Sequence, residues 1–193
     1  LHMVLQGDAL QCYQRIFTLT MKMRLVVDLL DLCLARSNGV RATSGGGLGY
    51  TMRFFAAHFM YYLQVDVYDT HFHQLMRDSN GAGDFAQVVR AHRNFITQLA
   101  NATFLDDTAT HDCLERVLLC CLRFVGVAML EAEDADAKGD GGWGDTAAET
   151  RMIERDFFKD VGLLFQLLRK SDAKALVMKL DYNHFFSTKI NAL

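Results

Sequence analysis

The sequence predicts an all-α protein, an antiparallel helical bundle of about five long helices and one short one. Its 193 residues include no proline, the residue that most strongly interrupts helices. Apolar residues recur at three- and four-residue spacing in most segments, and no segment alternates with period two over a useful length. Because 51% of the residues are hydrophobic, one domain-sized core can be filled.

The densest apolar segment is Met52–Met76, which we call the hub helix. Its inner stripe is predicted to be Phe55, Phe59, Tyr62, Leu63 and Val67, and most of the remaining circumference is filled by Phe54, Tyr61, Val65, Tyr68 and Phe72. A helix that is apolar all round is buried on several sides. We therefore expect the other helices to pack against this one, along about 38 Å of its length.

A first helix is predicted to begin at Asp8, whose side chain can cap it, and to run to about Arg36. Its main stripe is expected to be Leu10, Tyr13, Phe17, Met21, Leu25 and Leu29, widened by Ile16, Met23, Val26, Leu30 and Cys33. Ser37–Gly49 is rich in glycine and small polar residues, which predicts a flexible connection before the hub helix. These glycines do not form a phosphate loop, because the required spacing and the following Lys-Ser/Thr are absent.

After the hub helix, Arg77–Gly83 is predicted to be an exposed turn at a helix end. Asp84 with Gln87 then predicts a capping-box start for a helix that runs to about Ala100. A break near Thr103–Thr110 is expected to separate it from the next helix.

That next helix is predicted to end in residues 133–145, an acidic and glycine-rich segment that is too polar to pack. Thr146 can cap the following long helix, and Ser171 is predicted to start the short final one. The chain then closes in an aromatic tail. Loop-closure entropy changes slowly with length, so segments 37–49 and 133–145 are expected to be dispensable for folding.

The charge pattern argues against two classes of partner. The net charge is −3 and the Lys and Arg residues are dispersed, so no nucleic-acid footprint is present. No segment has the roughly 20 largely uncharged residues that span a membrane. An odd number of cysteines, five, with no CxxC pair, predicts buried reduced thiols, as in a cytosolic protein.

The sequence offers no catalytic, cofactor-binding or metal-binding constellation. His71 and His73 are two apart, so on a helix they point in different directions. His58 and His92 are interpreted as packed or rim histidines, and we expect His92 to bond to a neighbouring helix. Asp28, Asp31, Asp66 and Asp69 lack the Glu-x-x-His partners of helical di-metal sites, so a solvated face or ion pairs with Arg24 or Arg53 is expected.

Two segments are candidates for binding a partner. The first is the turn that contains Arg77, Asp78, Ser79 and Asn80, since exposed turns often carry function. The second is the tail, with Asp181, Tyr182, Asn183 and Phe185, where polar residues alternate with aromatics in the composition of an interface. In the tail, Tyr182, Phe185 and Phe186 can instead close the core, so both interpretations stay open.

Three landmarks carry a family resemblance. They are Leu1-His2-Met3 with Leu10, Tyr13, Phe17 and Arg24; Tyr-Tyr-Leu-Gln-Val-Asp-Val at 61–67 followed by Phe72, Asp84-Phe85, His92 and Phe95; and Lys179-Leu180-Asp181-Tyr182-Asn183 with Phe185 and Phe186. In this order they resemble the C-terminal domain of the gamma-tubulin complex components, nearest to the small fourth paralogue of that family. Lys179 stands where the family usually has Arg, and the glycine-rich stretch before Tyr50 replaces its usual Trp and Leu-Arg pair.

The resemblance implies a non-catalytic scaffold that binds gamma-tubulin and, with other gamma-tubulin complex components, helps to template microtubule nucleation. It implies residues 1–193 are the C-terminal part of the gamma-tubulin-binding domain, without the N-terminal assembly domain. The expected location is the cytoplasm, cytoskeleton and microtubule organising centre, with no cofactor. The alternatives are a helical-bundle enzyme or small-ligand carrier with a metal or ligand near His58, Tyr62 and His92, or a helical adaptor with another partner.

Overall fold

The computed structural model describes residues 7–37, 46–136, 143–171 and 173–192. Its helices are α1 (Gly7–Ser37), α2 (Gly46–Tyr61), a π-helical segment (Tyr62–Asp69), α3 (Thr70–Asn80), α4 (Phe85–Ala102), α5 (Thr108–Asp136), α6 (Trp143–Lys170), α7 (Lys174–Leu180) and α8 (Phe185–Asn191). No strand occurs within these ranges. The predicted all-α class is confirmed. Within the described ranges, none of the helices has the length and apolar character of a membrane span.

The hub helix is longer than predicted, because α2, the π-helical segment and α3 follow one another without a break from residue 46 to residue 80. Its inner face is confirmed, since Phe55, Phe59, Leu63 and Val67 are fully buried. Its outer face is not, since Tyr61 and Phe72 are each more than half exposed. The neighbouring helices therefore cover one side of the hub and leave aromatic side chains on the other.

The phase of the buried face of α1 was predicted wrongly. Leu10, Phe17 and Leu25 of the expected main stripe are each about half exposed or more, whereas Met23 and Leu30 of the second set are fully buried. Both sets recur at helical spacing, so periodicity alone could not rank them. Packing against α2 and α5 selects the second set.

Cross-helix bonds give the helix directions. Asp31 of α1 pairs with Arg53 of α2, and Thr20 bonds to Tyr68 further along the hub, so α1 and the hub are antiparallel. α5 and α6 are also antiparallel, as the Arg116–Asp160 and Arg123–Asp156 pairs show. By contrast, α1 and α5 run parallel, because Arg15, Lys22 and Arg36 of α1 contact Asp106, Glu115 and Met129 in that order.

Several predicted loops are shorter than expected. Residues 46–49 of the predicted 37–49 connection belong to α2, and residues 38–45 lie outside the described residues. Gly49 packs where a Cβ would stand 2.9 Å from the Phe124 ring and 3.0 Å from Leu34, so this glycine permits α2 to approach α5 and α1. The predicted connection at 133–145 is helical at both ends, with residues 137–142 outside the described part.

The helix starts were predicted with mixed success. Asp84 caps α4 as expected, since its Oδ1 accepts a 2.7 Å bond from the Gln87 amide. α6 begins at Trp143, so Thr146 is not its cap. α7 begins at Lys174, three residues after Ser171. The aromatic tail, for which no helix was predicted, forms α8.

Candidate partner-binding site

The tail is held against the bundle by α7, which buries Leu176, Val177 and Leu180. A short reversal follows, in which His184 takes a left-handed conformation with φ 59°. A non-glycine residue is uncommon in this conformation, so the reversal depends on bonds that fix it. These bonds come from Asp181.

Asp181 is buried at 5% exposure, and its carboxylate is bonded within the tail. Oδ1 accepts a 2.9 Å bond from the Phe186 amide and a 3.3 Å bond from the Ser187 amide. Oδ2 accepts a bond from the Ser187 hydroxyl. Asp181 thus satisfies the first amides of α8, which have no partner within the helix. Its role is to orient the tail, and it presents no free carboxylate to a partner.

The three aromatic residues of the tail divide between core and surface. Phe186 is 1% exposed and its ring lies 5.9 Å from Phe165 and 6.1 Å from Phe55. Tyr182 is 71% exposed and Phe185 38% exposed. The interpretation that the tail closes the core therefore holds for Phe186, whereas Tyr182 and Phe185 face outward and stay candidates for binding a partner.

Phe185 borders a cleft between the tail and the start of the hub helix, which we call the tail cleft. It has a volume of about 220 Å³ and is lined by Tyr50, Thr51, Phe54, Asn183, Phe185 and Phe186. Asn183 bonds locally, accepting a 3.2 Å bond from the Phe185 amide. Sequence reasoning missed Tyr50 and Phe54 as site residues, because the hub and the tail are more than a hundred residues apart. The available signal was the pair of aromatics at the start of the hub helix, Tyr50 and Phe54.

The tail is also tied to the middle of the hub helix. Lys179, just before the reversal, forms an ion pair with Asp66 in the π-helical segment. The two sequence landmarks at 61–67 and 179–186 are thereby joined, which neither landmark alone could indicate. π-Helical turns inside α-helices are rare and often lie at functional sites.

The other candidate segment lies at the end of α3. Arg77, Asp78 and Asn80 are exposed and Ser79 is partly exposed, so the predicted exposure is confirmed. These residues occupy the last turn of the helix, because α3 continues to Asn80 where a turn was predicted. Gln74 bonds to both Asp78, at 2.6 Å, and Arg77, at 2.7 Å, so two of the four polar groups are already engaged.

The structure does not bring His58, Tyr62 and His92 together. His58 is exposed, stacks on Phe54 at 3.9 Å and bonds to its carbonyl oxygen, as expected of a rim histidine. His92 bonds at 3.1 Å to Tyr13 of α1, so its predicted bond to a neighbouring helix is confirmed. Tyr62 donates a 3.1 Å bond to the Ala102 carbonyl, and burial raises the pKa of Tyr62 to about 12, which keeps it protonated.

Three of the four acidic residues weighed as metal ligands, Asp28, Asp31 and Asp66, are used in ion pairs. Asp28 pairs with Arg24 at 3.0 Å and Asp31 with Arg53, the two partners predicted from the sequence. In the part of the chain that the structure describes, no three His, Cys, Asp or Glu side chains are grouped to hold a metal ion.

All five cysteines are buried and free of disulfides, as predicted. Burial raises the pKa of Cys113 and of Cys120 to about 11. These thiols therefore carry little thiolate near neutral pH and are poor nucleophiles.

Comparison with known proteins supports one family. The sequence model of the gamma-tubulin complex component C-terminal family matches residues 1–186. Gamma-tubulin complex component 4 of Mus musculus is 27% identical over 202 residues, covering 97% of this chain and 29% of the relative. The same component of Homo sapiens is 25% identical over 201 residues, with the same two coverages. A Medicago truncatula homologue is 25% identical over 146 residues, covering 71% of this chain and 18% of the relative. The chain thus spans under a third of the length of these relatives.

Proposed function

Because this chain belongs to the gamma-tubulin complex component family, matching its C-terminal region, we propose that it is a non-catalytic scaffold that binds gamma-tubulin. With other gamma-tubulin complex components it helps to form the template for microtubule nucleation, at a microtubule organising centre of the cytoskeleton. The family match over nearly the whole chain carries this proposal. The paired carboxylates and buried thiols described above give no support to the rival of a metal or small-ligand enzyme.

The tail cleft is the surface that we assign to gamma-tubulin. Its exposed aromatics, Tyr50 and Phe185, line a small cavity together with the side chain of Asn183. Tyrosine beside a cavity with a polar rim is the composition of binding hot spots. The end of α3 is the second assignment, and Gln74 already engages two of its four polar groups.

The test compares the two surfaces in a gamma-tubulin pull-down with the 193-residue chain. Tyr50→Ala with Asn183→Ala should reduce the gamma-tubulin captured at least tenfold, because both residues line the tail cleft and neither is buried. Ser79→Arg with Asn80→Glu probes the end of α3. Tyr61→Ala is the matched control, since Tyr61 is exposed to a similar degree on the outer face of the hub.

Each variant is checked for its fold by circular dichroism and thermal unfolding. Selective loss in the Tyr50 and Asn183 variant assigns the tail cleft, and selective loss in the Ser79 and Asn80 variant assigns the end of α3. Unchanged capture in both folded variants would reject both surfaces. A wild-type chain that captures no gamma-tubulin would reject binding by this chain.

A further inference from the structure

A second groove, which shares no lining residue with the tail cleft, borders the tail reversal, and we call it the basic groove. It has a volume of about 240 Å³ and is lined by Arg169, Lys174, Val177, Met178, Asp181 and His184. The end of α6 supplies Arg169, α7 supplies Lys174 to Met178, and the reversal supplies His184. The groove is thus built from three consecutive elements around the fixed carboxylate of Asp181.

The charge of this region opposes that of the whole chain. Residues 169–189 hold five Lys or Arg and two Asp, whereas the chain carries −3. Asp181, one of those two, is already bonded to the Phe186 amide and to Ser187. Among the described residues, Arg169 and Lys174 form no ion pair, unlike Lys22 and Arg53. The two exposed cations line the groove with one buried carboxylate, that of Asp181, so among the described lining residues cations outnumber carboxylates.

The floor of the groove is apolar. Val177 is buried, and Met178 is 72% exposed, which leaves a long apolar side chain in water beside two cations. Methionine adapts its shape to different partners and is over-used at binding surfaces. A cavity of about 240 Å³ has room for one or two side chains of a ligand, so the ligand is an extended or helical segment that inserts a side chain.

We infer that the basic groove binds an acidic segment of a partner protein, in which carboxylates flank an apolar side chain. The carboxylates pair with Arg169 and Lys174, and Arg can hold a carboxylate through two parallel bonds. The apolar side chain packs on Val177 and Met178. Charge complementarity favours an acidic segment. The apolar floor favours a segment that carries an apolar side chain over a polyanion that lacks one.

The test measures fluorescence anisotropy of the chain with a fluorescein-labelled peptide of Glu-Glu-Leu-Glu repeats. A Glu-Glu-Ser-Glu peptide of the same length keeps the charge and lacks the apolar group, and a Lys-Lys-Leu-Lys peptide reverses the charge. We expect the first peptide to bind at least tenfold more tightly than either of the others. Because the assay contains no gamma-tubulin, its result stands whether or not the chain binds gamma-tubulin.

Arg169→Glu with Lys174→Glu should weaken binding of the Glu-Glu-Leu-Glu peptide at least tenfold, and Met178→Ser several-fold. Arg151→Glu with Lys159→Glu makes the same charge change at exposed sites of α6 outside the groove, and should leave most of the affinity. Circular dichroism confirms the fold of each variant.

Four results would overturn the inference. They are no binding of the Glu-Glu-Leu-Glu peptide, equal binding of the Glu-Glu-Ser-Glu peptide, an equal loss in the Arg151 and Lys159 variant, and an unchanged affinity in the folded Arg169 and Lys174 variant. The inference would also be rejected if duplex DNA or phosphatidylserine vesicles bound more tightly than the peptide and lost binding through the same Arg169 and Lys174 changes. The groove would then be assigned to a different polyanion.

Discussion

Replacing Asp181 by alanine tests whether the tail is held by one buried carboxylate. The change removes the acceptor for the Phe186 amide and for both the amide and the hydroxyl of Ser187. A buried hydrogen bond to a charged group contributes about 1.5–3 kcal/mol, and the two partly buried bonds of Ser187 add about 1 kcal/mol together. We therefore expect Asp181→Ala to lower the free energy of unfolding by about 3 kcal/mol.

The assay is urea unfolding followed by circular dichroism. With an m-value of about 2 kcal/mol/M, a loss of about 3 kcal/mol lowers the midpoint by about 1.5 M. Two variants grade the effect. Ser187→Ala removes only the hydroxyl donor and should cost about 0.5 kcal/mol, while Asp181→Asn keeps an acceptor without its charge and should fall between the two.

The reasoning also predicts where the damage appears. Because Asp181 orients the residues that follow it, Asp181→Ala should expose Phe186 and disturb the tail cleft without removing a contact to the partner. A midpoint shift in Asp181→Ala no larger than that in Ser187→Ala would refute the role of Asp181 as the cap of α8.

Phe59→Ala should lower the free energy of unfolding by about 3–5 kcal/mol because Phe59 is fully buried. Phe72→Ala, at a half-exposed site, should lower it by less than about 1 kcal/mol. Equal losses in urea unfolding would show that the register of the hub is wrong. Burial raises the pKa of all five thiols, so the native chain should react slowly with dithionitrobenzoate and the urea-unfolded chain rapidly. Rapid labelling of the native chain would contradict the burial of the cysteines. Burial lowers the pKa of His92 in the folded chain, so as the pH falls the imidazole is protonated in the unfolded state before it is protonated in the folded state. The free energy of unfolding therefore decreases below the unfolded histidine pKa of about 6.5. His92→Gln should reduce that decrease when urea midpoints are compared between about pH 7.5 and about pH 5, and an identical pH dependence in both chains would exclude this contribution.

Much of the fold could be predicted from residue types and their spacing. The absence of proline and the continuous apolar pattern of the hub predict long helices. The start of α4 was predictable because a capping box is local, needing only Asp84 and Gln87 three positions apart. The inner stripe of the hub was predictable because Phe55, Phe59 and Leu63 can be buried together only in one helical phase.

The tertiary structure decided which apolar groups are buried and which residues form a site. α1 carries apolar residues around most of its circumference, so only packing against α2 and α5 could select Met23 and Leu30 over Phe17 and Leu25 for the core. In the tail, too, the sequence pattern did not determine which side chains are buried.

Sequence alone treated Asp181, Tyr182 and Phe185 as equivalent surface candidates. The fold buries Asp181 beneath the start of α8 and turns Tyr182 outward, because His184 reverses the chain between them and the helix. The sequence by itself determined that long helices form and which one is central. The partners of Lys179 and Tyr50 depended on bringing together segments more than a hundred residues apart, and local pattern carries no information about such contacts.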